Sequence, residues 1–164
     1  MHKFTKHETK GLMVIFLILF VVITINMLAS LRKGRDSIRK NDISAIQNAL
    51  DTYFQKYRVY PAATLDGQIV GCFEGGPQID KISGYPTNAV ECSWGDSKFE
   101  DLLTMPQDPN YEKGAAYLYK SDGQNYEFYV ALEGHDEAEY TQAIANKNLH
   151  CGSQICNYGR GNKF

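Results

Sequence analysis

The hydrophobic pattern separates an apolar segment at the start of the chain from a more polar remainder. Residues Leu12 to Leu31 are apolar except for Thr24, Asn26 and Ser30. A helix over this segment is about 30 Å long at ~1.5 Å per residue, enough to cross the hydrocarbon core of a bilayer. A helix buried in a soluble core normally keeps a polar stripe, and Leu12 to Ile23 has none. The pattern therefore predicts a membrane-spanning segment.

A second pattern follows, in which apolar residues recur every three or four positions between Arg35 and Tyr57. This spacing predicts an amphipathic helix with one apolar stripe. The stripe consists of Ile43, Ile46, Leu50, Tyr53, Phe54 and Tyr57. Only Gly34 weakens the junction with the apolar segment, and Pro61 disfavours helical geometry at Tyr60. We therefore expect one helix from Leu12 to Tyr57, with its first half in lipid and its second half packed on a small head.

The head beyond Pro61 contains Gly-rich loops and short strand patterns, so the predicted fold class is α+β, with the long N-terminal helix packed on a small antiparallel sheet. Ser97 to Leu103 predicts a short helix capped by Ser97. Residues 115–132 predict a hairpin that turns at Asp122-Gly123. One face of this hairpin carries Tyr117, Tyr119, Tyr126, Phe128, Val130 and Leu132. We expect that face to pack on the helix; the alternative is an exposed aromatic strip that binds carbohydrate.

The four cysteines, Cys72, Cys92, Cys151 and Cys156, all lie beyond the apolar segment. An even number in a domain carried across a membrane indicates disulfides. Three pairings are possible, and we favour Cys72–Cys92 and Cys151–Cys156 because each closes a local loop. The alternative is a metal site made of His150, Cys151 and Cys156, but a second pair of ligands at metal-binding spacing is missing.

Composition and motifs exclude several function classes. The formal net charge is −2, which argues against a nucleic-acid partner because such a partner needs a basic face. The sequence has no nucleotide-binding glycine loop, no HExxH and no G-x-S-x-G motif. Cys151 and Cys156 are too far apart for a thioredoxin-like C-x-x-C centre. We therefore predict that the protein is not an enzyme.

Lys10-Gly11 before an apolar helix, followed by an amphipathic segment from Arg35 to a closing Tyr60-Pro61, resembles type IV pilins and type II secretion pseudopilins. The resemblance implies a leader peptide at 1–11, cut between Gly11 and Leu12 by a prepilin peptidase. It also implies a transmembrane half-helix at 12–31, an amphipathic helix at 32–60 and an extracytoplasmic head at 61–164. The alternative for the N-terminus is a secretory signal cut near Ala29, where bulky Met27 stands in place of the small residue such a site needs.

The same resemblance implies a location and partners. The protein would cross the bacterial cytoplasmic membrane once, with a cytoplasmic N-terminus, and would reach the cell surface if assembled into a filament. Its partners would be other pilin or pseudopilin subunits, the prepilin peptidase, an assembly-platform membrane protein and the lipid bilayer. Lys3, Lys6 and Lys10 agree with this orientation, but five cations follow the span and favour the reverse. They are Arg32, Lys33, Arg35, Arg39 and Lys40.

Two features of the sequence bear on how such a subunit works. The family usually has Glu at the fifth mature position, where this chain has Phe16; some minor, tip-type subunits also lack it. Major pseudopilins bind calcium in a loop after the hairpin, so the candidate Ca²⁺ ligands here are Glu133, Asp136, Glu137 and Glu139. Their spacing follows no EF-hand pattern, and carboxylates in a solvated loop need no metal, so we favour a protein without a cofactor over a calcium-binding one. We expect a filament subunit, and the missing Glu is a feature it shares with minor or tip-type subunits. The alternative is a membrane-anchored extracytoplasmic binding or adhesion domain that does not polymerise.

Overall fold

The structure, a computed structural model, describes residues 6–163, with side chains from residue 8 onward. The first five residues of the predicted leader therefore lie outside the described part. The longest element is helix α1, Lys6–Tyr57, about 78 Å long at ~1.5 Å per residue. It runs through Gly34 without interruption. It ends where Arg58 takes a positive φ of 58°, three residues before Pro61.

Between residues 61 and 163 the head contains eight short strands and one short second helix. The first sheet has the order β1-β2-β3, and its strands are Ala62–Ala63, Ile69–Cys72 and Val90–Glu91. The second sheet has the order β4-β5-β8, with strands Leu118–Ser121, Tyr126–Val130 and Tyr158–Gly161. β6 (His150–Cys151) pairs with β7 (Gln154–Ile155), and all strand pairs are antiparallel. A 3₁₀ turn spans Tyr111–Lys113, and α2 spans Gln142–Ala145. The α+β class is therefore confirmed.

The core lies between the second half of α1 and the β4-β5-β8 sheet. Ile43, Ile46 and Leu50 of the predicted stripe are fully buried, while Phe54 and Tyr57 pack against the core at its margin. The predicted hairpin face lies in the same core. Its residues are 0–2% exposed. The prediction that this face packs on the helix is confirmed, and the carbohydrate-binding alternative fails because these rings are not accessible.

The hairpin turns where the sequence predicted, through a four-residue connection from Asp122 to Asn125. Gly123 takes a φ of 87° there, a conformation that glycine adopts without strain. Its carbonyl accepts a hydrogen bond of 2.8 Å from the backbone amide of Tyr60, three residues beyond the end of α1. The turn therefore contacts the segment that follows the long helix.

The predicted helix at 97–103 is wrong. Phe99 and Leu102 instead pair with each other in a tight turn, and Glu100 between them has a φ of 49°. The turn buries Phe99 against the Tyr53 ring, with a centroid distance of 5.9 Å. A helix this short has little stability of its own, so packing of Phe99 on α1 decides the local conformation.

Two disulfides tie the loops of the head. Cys72–Cys92 joins β2 to the residue after β3, and Cys151–Cys156 closes the β6–β7 hairpin. These are the two local pairings favoured from the sequence. They also exclude the His150, Cys151 and Cys156 metal site, because disulfide sulfurs are not thiolate ligands.

Candidate functional site: the apolar half of α1 and its charged junction with the head

The first half of α1, residues 12–31, is exposed along its whole length, and we call it the bare half. Every large apolar side chain from Leu12 to Leu31 is exposed, and Phe20 is 71% exposed. This is the one helix in the described chain that is long and apolar enough to cross a membrane. The Thr24 hydroxyl donates to the Phe20 carbonyl at 2.7 Å, so this polar group is satisfied within the helix, as lipid requires. Phe16 lies on this surface, together with Leu17, Leu19, Phe20 and Ile23.

The boundary between the bare and packed halves carries a cluster of opposite charges. We call residues 32–40 of α1 the basic segment and residues 133–139 the acidic loop. At the end next to the apolar half, Arg32 contacts Asp136 at 2.7 Å. One turn further along, Arg35 forms a bidentate salt bridge with Glu133, with hydrogen bonds of 2.7 and 2.5 Å. The acidic loop therefore lies along the helix next to the end of the apolar half.

Lys40 completes the contact at the other end of the basic segment. Its ammonium lies 2.8 Å from Glu137 and 3.2 Å from Glu139. These contacts raise the pKa of Lys40, chiefly through the hydrogen bond to Glu137. The pKa of Glu139 is lowered first by a backbone hydrogen bond and then by the hydrogen bond from Lys40. Ion pairs at exposed positions each contribute little to the free energy of folding. In this junction they lie on either side of a buried ion pair.

The buried pair joins Arg39 to Asp108, whose side chains are 0% and 1% exposed. Two parallel hydrogen bonds of 2.8 and 2.9 Å connect the guanidinium to both carboxylate oxygens. Arg39 also contacts Asp36 at 2.8 Å and Glu133 at 2.9 Å. Burial alone lowers the pKa of Arg39, but the hydrogen bonds and charge of Asp108 outweigh it and the pKa is raised. Arg39 therefore remains a buried cation that three carboxylates surround.

Glu133 connects the partly exposed ion pairs of the junction to its buried cluster, because it accepts hydrogen bonds from both Arg35 and Arg39. The Arg35 contact is the largest cause that lowers the pKa of Glu133 to about 2, with Arg39 acting in the same direction against burial. Asn110 donates a further hydrogen bond of 2.8 Å to the same carboxylate. Glu133 is therefore ionised throughout the physiological range and holds the acidic loop to the helix.

The loop backbone also binds the helix directly. The amides of Glu133 and Gly134 each donate a hydrogen bond of 2.9 Å to the Asp36 carboxylate. A Cβ at Gly134 would lie 2.9 Å from the Glu137 side chain and 3.2 Å from Asp36. Glycine therefore permits the close approach at this position, and Asp36 fixes the loop through its main chain.

Further along the helix, Asp42 accepts a hydrogen bond of 2.5 Å from the Tyr117 hydroxyl. Burial raises the pKa of Asp42 against the opposing effect of this hydrogen bond. Burial also raises the pKa of Tyr117, and the nearby carboxylate adds to the rise. The contact supplies a hydrogen-bond partner for a buried hydroxyl in the aromatic core.

The four candidate calcium ligands do not surround a common point. Glu133 contacts Arg35 and Arg39, and Asp136 contacts Arg32; Glu137 and Glu139 contact Lys40. Within the part of the chain that the structure describes, no group of three or more His, Cys, Asp or Glu residues is placed to hold a metal ion. The donor set does not fit calcium because the cations of α1 already occupy these carboxylates.

Asp108 is the residue that sequence reasoning missed. It lies in the segment Met105 to Pro109, where two prolines predict a rigid, non-helical connection. The available signal was a carboxylate held between two prolines. Its partner is 69 positions away along the chain, so only the tertiary structure brings the pair together.

The two residues at which the sequence predicts leader cleavage, Gly11 and Leu12, lie within α1, and both are exposed. Comparisons with protein-family models, curated proteins and solved structures found no match for this chain.

Proposed function

We propose that the protein is a structural subunit of a type IV pilus-like or type II secretion pseudopilus filament. The observation that carries this proposal is the division of one continuous helix into a bare apolar half and a half that the head covers. Such a helix anchors a single subunit in the bilayer. It also offers an apolar surface to neighbouring subunits when the helix leaves the lipid.

The charged junction supports a mechanical role. A subunit that is drawn out of a membrane by its helix must transmit the load to its head. The junction lies at the boundary where the bare half ends, and the Arg39–Asp108 pair connects α1 to the connection before β4. Bidentate arginine–carboxylate salt bridges resist changes of orientation, because they fix both the distance and the angle between the two side chains. The junction therefore keeps the head and the helix in one orientation.

The proposed leader and orientation follow from the same architecture. A prepilin peptidase would cut between Gly11 and Leu12, which leaves an apolar mature N-terminus at the start of the bare half. The two disulfides support a head outside the cytoplasm, because structural disulfides persist in oxidising compartments.

A second candidate function is an anchored binding domain that does not polymerise, and Phe16 is the observation that favours it. A carboxylate within a lipid-embedded helix is costly unless it finds a cationic partner, and such a partner can be the amino terminus of a neighbouring subunit. Phe16 is apolar and 64% exposed, so the helix is stable in lipid without a neighbour. Without that pairing, the chain would enter a filament rarely, only as its first subunit, or only with partners that supply the missing charge pair.

The deciding experiment expresses the full chain together with a pilus or pseudopilus assembly system and measures the subunit in sheared filaments. We expect little incorporation of the native chain and more of Phe16→Glu, whereas Leu17→Glu on a neighbouring position should bring no gain. If neither the native chain nor Phe16→Glu entered filaments, the non-polymerising alternative would replace the proposal. Abundant homopolymers of the native chain would instead show a major subunit held by packing alone. Terminal sequencing in the same cells should begin at Leu12; a start at Met1 or Ser30 would reject the leader assignment.

A further inference from the structure

The outer edge of β8 is unpaired within the described chain. β8 pairs with β5 from Val130↔Tyr158 to Glu127↔Gly161, and no strand lies on its other side. Beyond that ladder, Tyr158–Gly161 makes no backbone–backbone hydrogen bond within residues 6–163. A free strand edge presents N–H and C=O groups that pair with an added extended segment.

This edge lies in a groove of about 470 Å³, which is within the size range of ligand-binding clefts, roughly 300–1,000 Å³. α1 contributes Gln47 to the groove, and Ile144 and Lys147 come from α2 and the residues after it. Gly159 and Gly161 lie along the edge itself. A Cβ at Gly161 would lie 2.1 Å from the Tyr126 carbonyl oxygen, so glycine at this position serves the existing pairing of β8 with β5.

The two cations of the groove lie on opposite faces of the sheet. Arg160 is on the α1 face, where its Nη1 contacts the Ser44 hydroxyl at 3.3 Å. Lys147 is on the α2 face, where its ammonium contacts the Tyr129 hydroxyl at 3.1 Å. Successive side chains of a strand point to opposite faces. Two consecutive residues of an added strand would therefore meet Arg160 and Lys147 respectively.

The charge of the groove indicates the chemistry of its occupant. The lining residues include Arg160 and Lys147 and no carboxylate. Glu127, 3.7 Å from Lys147, offsets part of this charge, and Glu139 interacts electrostatically with Arg160. Arg160 also donates a hydrogen bond of 2.7 Å to the Tyr158 hydroxyl. Lys147 nevertheless remains 46% exposed, and Arg160 is exposed. A cation on a strand edge discourages pairing with neutral or basic strands, so the groove selects for acidic side chains.

We infer that the β8 edge binds, by strand addition, an extended segment of another protein that carries two consecutive acidic residues. The main chain of the segment pairs with β8, and its two carboxylates contact Arg160 and Lys147. The surface is separate from the apolar half of α1 and from the charged junction. The inference therefore does not depend on whether the protein enters a filament.

The test uses the full chain in detergent micelles and a fluorescent probe peptide of about eight residues, the length of an ordinary strand. The probe alternates threonine and valine around a central Asp-Glu pair, and fluorescence anisotropy gives its Kd. Matched probes carry Lys-Lys in place of Asp-Glu, or N-methyl groups on either of the two alternating sets of amides. We expect binding of the acidic probe, no binding of the basic one, and loss of binding for only one of the two methylated probes.

Protein variants locate the site. Arg160→Glu and Lys147→Glu should each weaken binding about fivefold or more, because each exchanges an attraction for a repulsion. Lys120→Glu is the matched control, since Lys120 is exposed on β4 at the opposite edge of the same sheet, and it should bind as the native chain does. Trp94 fluorescence in urea checks that each variant is folded.

Three results would overturn the inference. They are no anisotropy change with the acidic probe, equal binding of both methylated probes, and equal losses for Lys120→Glu and the groove variants. If Arg160→Glu failed to fold, Lys147→Glu and the pair of methylated probes would still decide the question. Amide hydrogen exchange gives the independent readout: bound probe should protect Tyr158–Gly161, and protection confined to other segments would also reject the site.

Discussion

Replacing Asp108 with Asn removes the charge that faces Arg39 while it keeps nearly the same side-chain shape. Arg39 and Asp108 are 0% and 1% exposed, so water cannot compensate for the missing charge. Removing one partner of a buried ion pair typically costs about 3–5 kcal/mol. Arg39 keeps its contacts with Asp36 and Glu133, so we expect a loss of about 3 kcal/mol in the free energy of unfolding, the lower end of that range. This is a large share of the roughly 5–15 kcal/mol of an ordinary domain.

Urea unfolding of the full chain in a mild detergent measures this loss through Trp94 fluorescence. The chain has one tryptophan, and its ring contacts Tyr117 and Phe128 at centroid distances of 5.7 and 6.1 Å, so it reports packing of the head. Asp66→Asn is the control. Asp66 is exposed, so this substitution makes the same chemical change outside the junction. Its unfolding curve should match that of the native chain.

A double-mutant cycle separates the ion pair from other effects of the substitution. In an Arg39→Met background, Asp108→Asn should cost much less than it does alone, because the buried cation is already gone. The reasoning fails if Asp108→Asn shifts unfolding no more than Asp66→Asn. It also fails if the two substitutions at the pair are simply additive.

Three further predictions follow from the core, the junction and the disulfides. The depressed pKa of Glu133, about 2 against an ordinary value of 4.5, contributes stability that is present above pH ~4.5 and lost as the pH falls through about 2; Glu133→Gln should flatten the acid side of the stability profile, and an unchanged profile would contradict this role. Leu50→Asp places an unpaired charge in a fully buried position and should prevent the head from packing on α1, whereas Gln55→Asp on the exposed face should unfold like the native chain. Non-reducing peptide mapping should recover Cys72–Cys92 and Cys151–Cys156, and alkylation of native protein at any of the four would count against both pairs.

The parts of the fold that follow a local period were predictable from the sequence. The apolar stripe of α1 depends only on spacing along one helix, so Ile43, Ile46 and Leu50 are buried as expected. The hairpin was equally predictable, because its alternation of apolar and polar residues and its Asp122-Gly123 turn are local signals. Local signals failed at 97–103, where the contact of Phe99 with Tyr53 outweighs a weak helical pattern.

The junction was less predictable because charge patterns do not identify their partners. The acidic loop was recognised, but a carboxylate attracts calcium and an arginine for the same electrostatic reason. Which of the two it meets depends on how the loop lies against α1. The structure brings Glu133 to Arg35 across 98 positions of sequence, and nothing in the spacing of either segment indicates that contact.

The same junction bears on the proposed orientation of the chain. The cations beyond the span favour a cytoplasmic location for that end under the positive-inside rule, in which nearby acidic residues count for little. In the folded protein, four of these cations contact carboxylates of the described chain: Arg32, Arg35, Arg39 and Lys40. Their charge therefore does not oppose an extracytoplasmic head once folding is complete.

In the proposed orientation, insertion would precede those contacts, so another signal would have to hold the N-terminus on the cytoplasmic side during insertion. The cations ahead of the span, Lys3, Lys6 and Lys10, are the candidates, and all of them lie in the proposed leader. If cleavage after Gly11 removes them, only the folded head then opposes a reversal of the helix. Under this proposal the acidic loop would act after the leader: it would neutralise the basic segment and would keep that segment outside the cytoplasm, where disulfides form.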